Sequence, residues 1–200
     1  VVMVLFWLVY IAWLDNGGTR LIFKIIGFEK KFDKFDFPQR CKVVIICTSQ
    51  LNVMIWLPLY SYSLLYANGK KGTNFLNDAE YMSTAYDFMV FYQMIQISEH
   101  ISETLYYLYC FGLPRKIGDH HVQMYMHHII AIQGMLITNY VGGPIFAATF
   151  FSGVCEATNT PNFIRDLLAN FLDMKESKLY SYNAVVFFIS FLWCPVVPQT

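Results

Sequence analysis

Two adjacent histidines, His127 and His128, open the apolar run of MYMHHIIAIQ, and Glu99, His100 and Glu103 crowd little more than one helical turn of an earlier apolar stretch. Asp87 and Glu156 also sit in apolar surroundings. A charge inside an apolar span is costly and normally faces a cavity or a partner, so these residues are the candidates for chemistry. Imidazole titrates near neutral pH. Either histidine of the pair could therefore serve as general base or nucleophile toward a hydroxyl, amine or thioester, with Glu156 across a cavity as orienting carboxylate. The plainer alternative is structural. His127 and His128 would then hydrogen-bond to neighbouring helices near the interface, and Glu99, His100 and Glu103 would form an internal polar network that holds helices in register.

Helical geometry constrains both readings. Glu99 and Glu103, four apart, share a face, with His100 offset by about 100°, and the adjacent His127 and His128 also diverge by about 100°. The pair cannot act as one bidentate grip. A metal reading asks for His-Glu-x-x-His, or for Glu-x-x-His repeated on facing helices. Neither pattern occurs, so no metal is expected.

The elements that must position these groups are membrane helices. The chain is 56% hydrophobic, 18% aromatic and only 14% charged, with zero formal net charge, a balance unlike that of a soluble domain. Nothing in it suggests a nucleic-acid partner. Four of the five cysteines, Cys47, Cys110, Cys155 and Cys194, lie in apolar runs, where a thiol packs as a small hydrophobe, so no disulfide framework is expected. The expected fold is all-α and polytopic, with about six transmembrane helices: Val1–Leu14, Val43–Tyr66, Tyr86–Leu113, Val122–Tyr140, a fifth from Pro144, and Leu179–Val197. Ser49, Gln50 and Asn52 should face other helices rather than lipid. Gly142 and Gly143 make the turn before Pro144 tight.

Residues 15–42 read as an interfacial amphipathic connection, with phenylalanines and isoleucines among lysines and acids, and NFIRDLLANFLDMKESK has a similar character. Lys and Arg number seven, two and three in the first, third and fifth connections, against two in the second and none in the fourth. The positive-inside rule then places both termini away from the cytoplasm or matrix. The whole chain, 1–200, reads as a single membrane unit.

At RKIGDHHVQMYMHHIIAIQGML the chain resembles the TLC family, the polytopic membrane proteins that include the ceramide synthases and the translocation-associated membrane protein. Arg115, Lys116, Asp119, His127 and His128 follow the family's order of a basic, acid-containing loop before a histidine pair. GVCEATNTPNFIRDLL is similar to a stretch of the non-synthase branch, with Glu156, Thr158, Thr160, Pro161, Asn162 and Arg165 in the matching places. The resemblance is strongest over Met89–Leu172. It implies a helical bundle with an internal lipid cavity, whose polar network would draw on His127, His128, Glu156, Asn162, Arg165, Glu99, His100 and Glu103. Ceramide synthases carry a His-Asp and a further Asp in the next helix, whereas Gly142–Cys155 holds neither residue type.

The resemblance therefore implies a non-catalytic, lipid-binding member without a cofactor, its cavity taking a phospholipid or sphingolipid. Such a member would be a lipid-homeostasis factor or an accessory subunit of a larger membrane complex. The alternative is a lipid-modifying enzyme, acyl transfer first. The family implies the endoplasmic reticulum; read as a processed subunit that begins at Val1, the chain would suit the mitochondrial inner membrane.

Overall fold

The computed structural model describes residues 1–71, 79–113, 120–141 and 159–193, and side chains within 1–55, 90–113, 122, 124–141 and 159–190. Among the described residues the regular elements are helices: α1 (Val2–Trp13), α2 (Thr19–Ile25), α3 (Glu29–Phe32), α4 (Phe37–Lys71), α5 (Ala79–Phe111), α6 (His120–Val141), α7 (Asn159–Asp166) and α8 (Lys178–Trp193). A turn of π-helix at Leu167–Phe171 extends α7, and Leu14–Gly18 joins α1 to α2 through a kink where Asn16 and Gly17 leave helical geometry. The expected all-α class is thus what the chain adopts.

Local sequence explains where these helices begin and end. Asp36 and Gln39 form a reciprocal capping box at the start of α4: the Gln39 amide donates to Asp36 Oδ1 (2.8 Å) and the Asp36 amide to Gln39 Oε1 (3.0 Å). Pro38 sits in the first turn, where its missing N–H costs nothing. Ser177 caps α8 by accepting the Tyr180 amide at 3.1 Å. Helix α2 ends in a Schellman motif, with Gly27 at φ 83°, Phe28 N–H on the Phe23 carbonyl and Gly27 N–H on Lys24. The kink between α1 and α2 uses Gly17 at φ 128°, a conformation that a Cβ would strain.

Helix α5 is the centre of the bundle, packed against α1, α4 and α6. One cluster of Ile11, Leu14, Cys41, Val44, Tyr106, Tyr107 and Tyr125 joins these four helices. A second joins Phe23, Phe32 and Phe35 to Val43, Ile46, Leu168 and Phe171, so the phenylalanines of the first connection pack on protein. Their rings meet mostly edge to face at about 5–6 Å, as Phe35 does with Phe171 at 5.3 Å. Leu21, Ile25, Ile26 and Phe37 are the large apolar residues of that segment that stay exposed.

The rest of the bundle buries many polar side chains and exposes many apolar ones. Thr48, Asn52, Gln93, Gln96, Ser98, Glu99, His100, Ser102 and Glu103 are buried, while Val2, Leu5, Val9, Ile130, Ile137, Tyr140, Val185, Val186 and Ile189 are exposed. On α6 the buried positions Tyr125, His128, Met135 and Thr138 recur at helical spacing along one face.

Among the described residues, one helical stretch, Val2–Ile25, is long and apolar enough to cross a membrane. The described residues do not carry the count of six. Helix α6 has the length, at 22 residues, but sets His127, His128, Gln133 and Asn139 along it. Helix α8 has 16 residues, short of the roughly 20 a span needs. The fifth expected span and the far side chains of the second lie outside the described residues.

Candidate functional site: a buried histidine–glutamate cluster on a cavity

Three residues of α5 set up the site. Along a helix Glu99, Glu103 and His100 fall at about 0°, 40° and 100°, one sector with Glu103 in its middle. That sector faces α4 and α6, and Glu99 and Glu103 are each only 2% exposed. Glu99 Oε2 lies 2.9 Å from His100 Nδ1. From α4, the Ser49 hydroxyl donates to Glu103 Oε1 at 2.9 Å. From α6, His128 brings Nε2 to 3.5 Å from Glu103 Oε2.

The other nitrogen of His128 is fixed by Thr104. That hydroxyl donates to the His100 carbonyl at 2.7 Å and lies 2.9 Å from His128 Nδ1. A hydroxyl has one hydrogen, so toward the ring it acts as acceptor, and Nδ1 carries the proton. The second ring nitrogen, Nε2, faces the Glu103 carboxyl group. The rings of His100 and His128 stack, with centroids 4.9 Å apart and planes 13° from parallel. Tyr107 closes the edge of His128 at 6.4 Å.

The expected divergence of the histidine pair is visible in its burial: His128 is 2% exposed, and His127 is exposed with its ring 5.9 Å from His100. Both line a cavity of about 660 Å³ bounded by α4, α5, α6 and α7. Its inner wall is polar, with Asn52, Gln96, Glu99, His100, Glu103 and His128; Ile45, Ile46, Val53, Met124 and Phe163 supply apolar wall, and α7 adds Asn162, Arg165 and Asp166. The exposed Lys42 and His127 mark its open side. Asn52 Oδ1 is buried with no hydrogen-bond partner among the described residues.

Neither a family model, a curated protein nor a solved structure matches this chain. The site is therefore read from its own geometry.

Of the residues singled out from sequence, Glu99, His100, Glu103, His127 and His128 come together around one end of the cavity. Asn162 and Arg165 line another part of it, where Arg165 donates to Asn162 Oδ1 at 2.8 Å and lies 4.9 Å over the Phe187 ring. Glu156, Thr158 and the side chain of Asp87 lie outside the described residues. Ser49 and Asn52 do face inward, and they also line the cavity, a role that sequence reading did not assign. Thr104 and Tyr107 were missed. Thr104 had a legible signal, since it stands four residues after His100, where a threonine hydroxyl reaches the i−4 carbonyl.

Proposed function

We propose that this chain is a polytopic membrane protein of the TLC type that holds one amphiphilic lipid in the cavity, acting as a lipid-homeostasis factor or accessory subunit of a membrane assembly. The observation that carries this reading is the cavity itself. At about 660 Å³ it falls within the range of small-molecule sites, and it pairs apolar walls with a buried polar end. An acyl chain suits the former, and a headgroup with hydrogen-bonding oxygens suits Asn52, Gln96 and the histidines. The apolar outer faces of α1, α6 and α8 support a lipid surround, because polar groups inside and apolar groups outside are what a bilayer selects.

The test is extraction from the native membrane in mild detergent, followed by mass spectrometry of lipid and protein. Wild-type protein should carry a defined lipid, and Asn52→Trp, which fills the cavity, should lose it while helicity is kept. Equal lipid in both, or none in wild type, would overturn the reading. Defined comigrating subunits would assign the accessory role.

A lipid-modifying enzyme, acyl transfer first, is the second reading. It is favoured by one observation: His127 and His128 both line the cavity, with His128 against Glu103. Turnover of an acyl-CoA by lipid-free monomer, lost when both histidines are replaced, would select it over the first.

A further inference from the structure

We propose that His100, Glu103 and His128 form a binding site for a divalent transition-metal ion of the zinc or ferrous class, open toward the cavity. One ligand atom from each of the three lies within 4.8 Å of the others, and all three residues are buried. Two come from α5 at positions i and i+3, and the third reaches across from α6. A metal with ligands at about 2.1 Å in a tetrahedron separates them by about 3.4 Å. The His128 Nε2 to Glu103 Oε2 distance is 3.5 Å. The remaining separations are at most 4.8 Å and would close by up to about 1.4 Å on binding.

The hydrogen bonds orient these atoms toward a cation. Thr104 accepts from His128 Nδ1, which leaves Nε2 facing Glu103. Ser49 occupies Glu103 Oε1, which leaves Oε2 on the side of the imidazole. A lone pair and a carboxyl oxygen facing each other in a buried site repel unless a proton or a metal ion lies between them. Among the described residues neither lysine nor arginine pairs with Glu103. A shared proton could bridge two groups, but a third donor, His100, converges on the same place, as metal ligation requires. Thr104 and Ser49 would be the outer hydrogen bonds that fix the tautomer and carboxylate orientation of bound ligands. Two imidazoles and one carboxylate favour zinc, iron or cobalt over the oxygen-seeking calcium and magnesium.

This inference builds on the cavity reading only in placing the open coordination position toward the cavity, so metal and lipid are measured separately. Detergent-purified full chain is stripped with chelator and titrated with Co²⁺, followed by visible absorption and by elemental analysis. The expected result is about one ion per chain with ligand-field bands that Zn²⁺ abolishes. Glu103→Gln and His128→Ala should each weaken binding by about 100-fold or more, and Thr104→Val, which touches no metal, by about 10-fold. Ser190→Ala, on α8 and outside the cavity lining, should bind as wild type does. Should His128→Ala fail to fold, Glu103→Gln and Thr104→Val decide, each checked for helicity. Absence of stoichiometric binding, or binding unchanged in Glu103→Gln and Thr104→Val, overturns the proposal. Lipid measured in the same samples separates the two ideas: lipid without metal removes only this one, and metal without lipid removes only the lipid reading.

Discussion

Replacing Thr104 with valine keeps side-chain shape and removes one hydroxyl that serves two partners. The His100 carbonyl is an ordinary helix acceptor, so losing the 2.7 Å back-bond from Thr104 costs little there. The other partner decides the outcome. His128 is 2% exposed, and its Nδ1–H, now 2.9 Å from the hydroxyl, would face a methyl group with no water to replace the acceptor. A buried donor stranded in this way costs about 1–3 kcal/mol, roughly a 5- to 150-fold shift in the folding equilibrium. The assay is reversible unfolding of the detergent-solubilised chain, by titration with a denaturing detergent and circular dichroism, as a double-mutant cycle with His128→Phe. With phenylalanine at 128 no N–H is left to strand, so Thr104→Val should cost much less in that background, giving a coupling of about 1–2 kcal/mol. A cost that is the same in both backgrounds, or absent in wild type, would refute the tautomer assigned to His128.

Two further predictions concern the frame that holds the site. Phe35→Ala should destabilise by about 3–5 kcal/mol, because Phe35 is buried among Phe23, Phe32 and Phe171; the same unfolding titration reads it, and a loss below about 1 kcal/mol would mean that these rings are not packed as described. Asp36→Ala removes half of the capping box at the start of α4 and should cost about 1 kcal/mol, together with faster hydrogen exchange at the Gln39 amide; unchanged exchange would show that the cap is not formed.

What the sequence disclosed was mostly what depends on one helix at a time. Glu99 and Glu103 four apart, and His127 beside His128, determine shared and divergent faces without reference to any partner, and the buried acids and the split burial of the pair have that origin. Contacts between helices were not legible. Phenylalanines 23, 32 and 35 fit an interfacial helix equally well in sequence, and only the approach of Leu168 and Phe171 turns their rings inward. Spacing within one helix likewise says little about groups that meet between helices. His-Glu-x-x-His puts two histidines on one helix, whereas here His100 and Glu103 share a helix and the second imidazole arrives from 25 residues later in the chain. His100-x-x-Glu103 is visible in sequence, but nothing there says which helix brings a further side chain to it.

The two histidines of MYMHHIIAIQ are not equivalent, and their difference bears on either function. His128 is held at Nδ1 by Thr104, 2.9 Å away, and its Nε2 lies 3.5 Å from Glu103 Oε2, inside a wall of α5 side chains. A ring held that way loses little entropy when it binds a cation, but it is poorly placed to swing toward a substrate. His127 has the opposite character: it is exposed at the open side of the cavity, its ring 5.9 Å from that of His100 and 5.7 Å from that of His128. If the cavity does chemistry, His127 is the ring with room to meet an incoming group, and His128 is the one that holds the polar end in shape. Replacing His127 should then leave stability nearly unchanged while altering whatever the cavity binds or turns over, and replacing His128 should disturb both. The adjacency of the pair thus follows from helical geometry, since neighbouring positions are the simplest way for one helix to present one imidazole to the core and another to the opening.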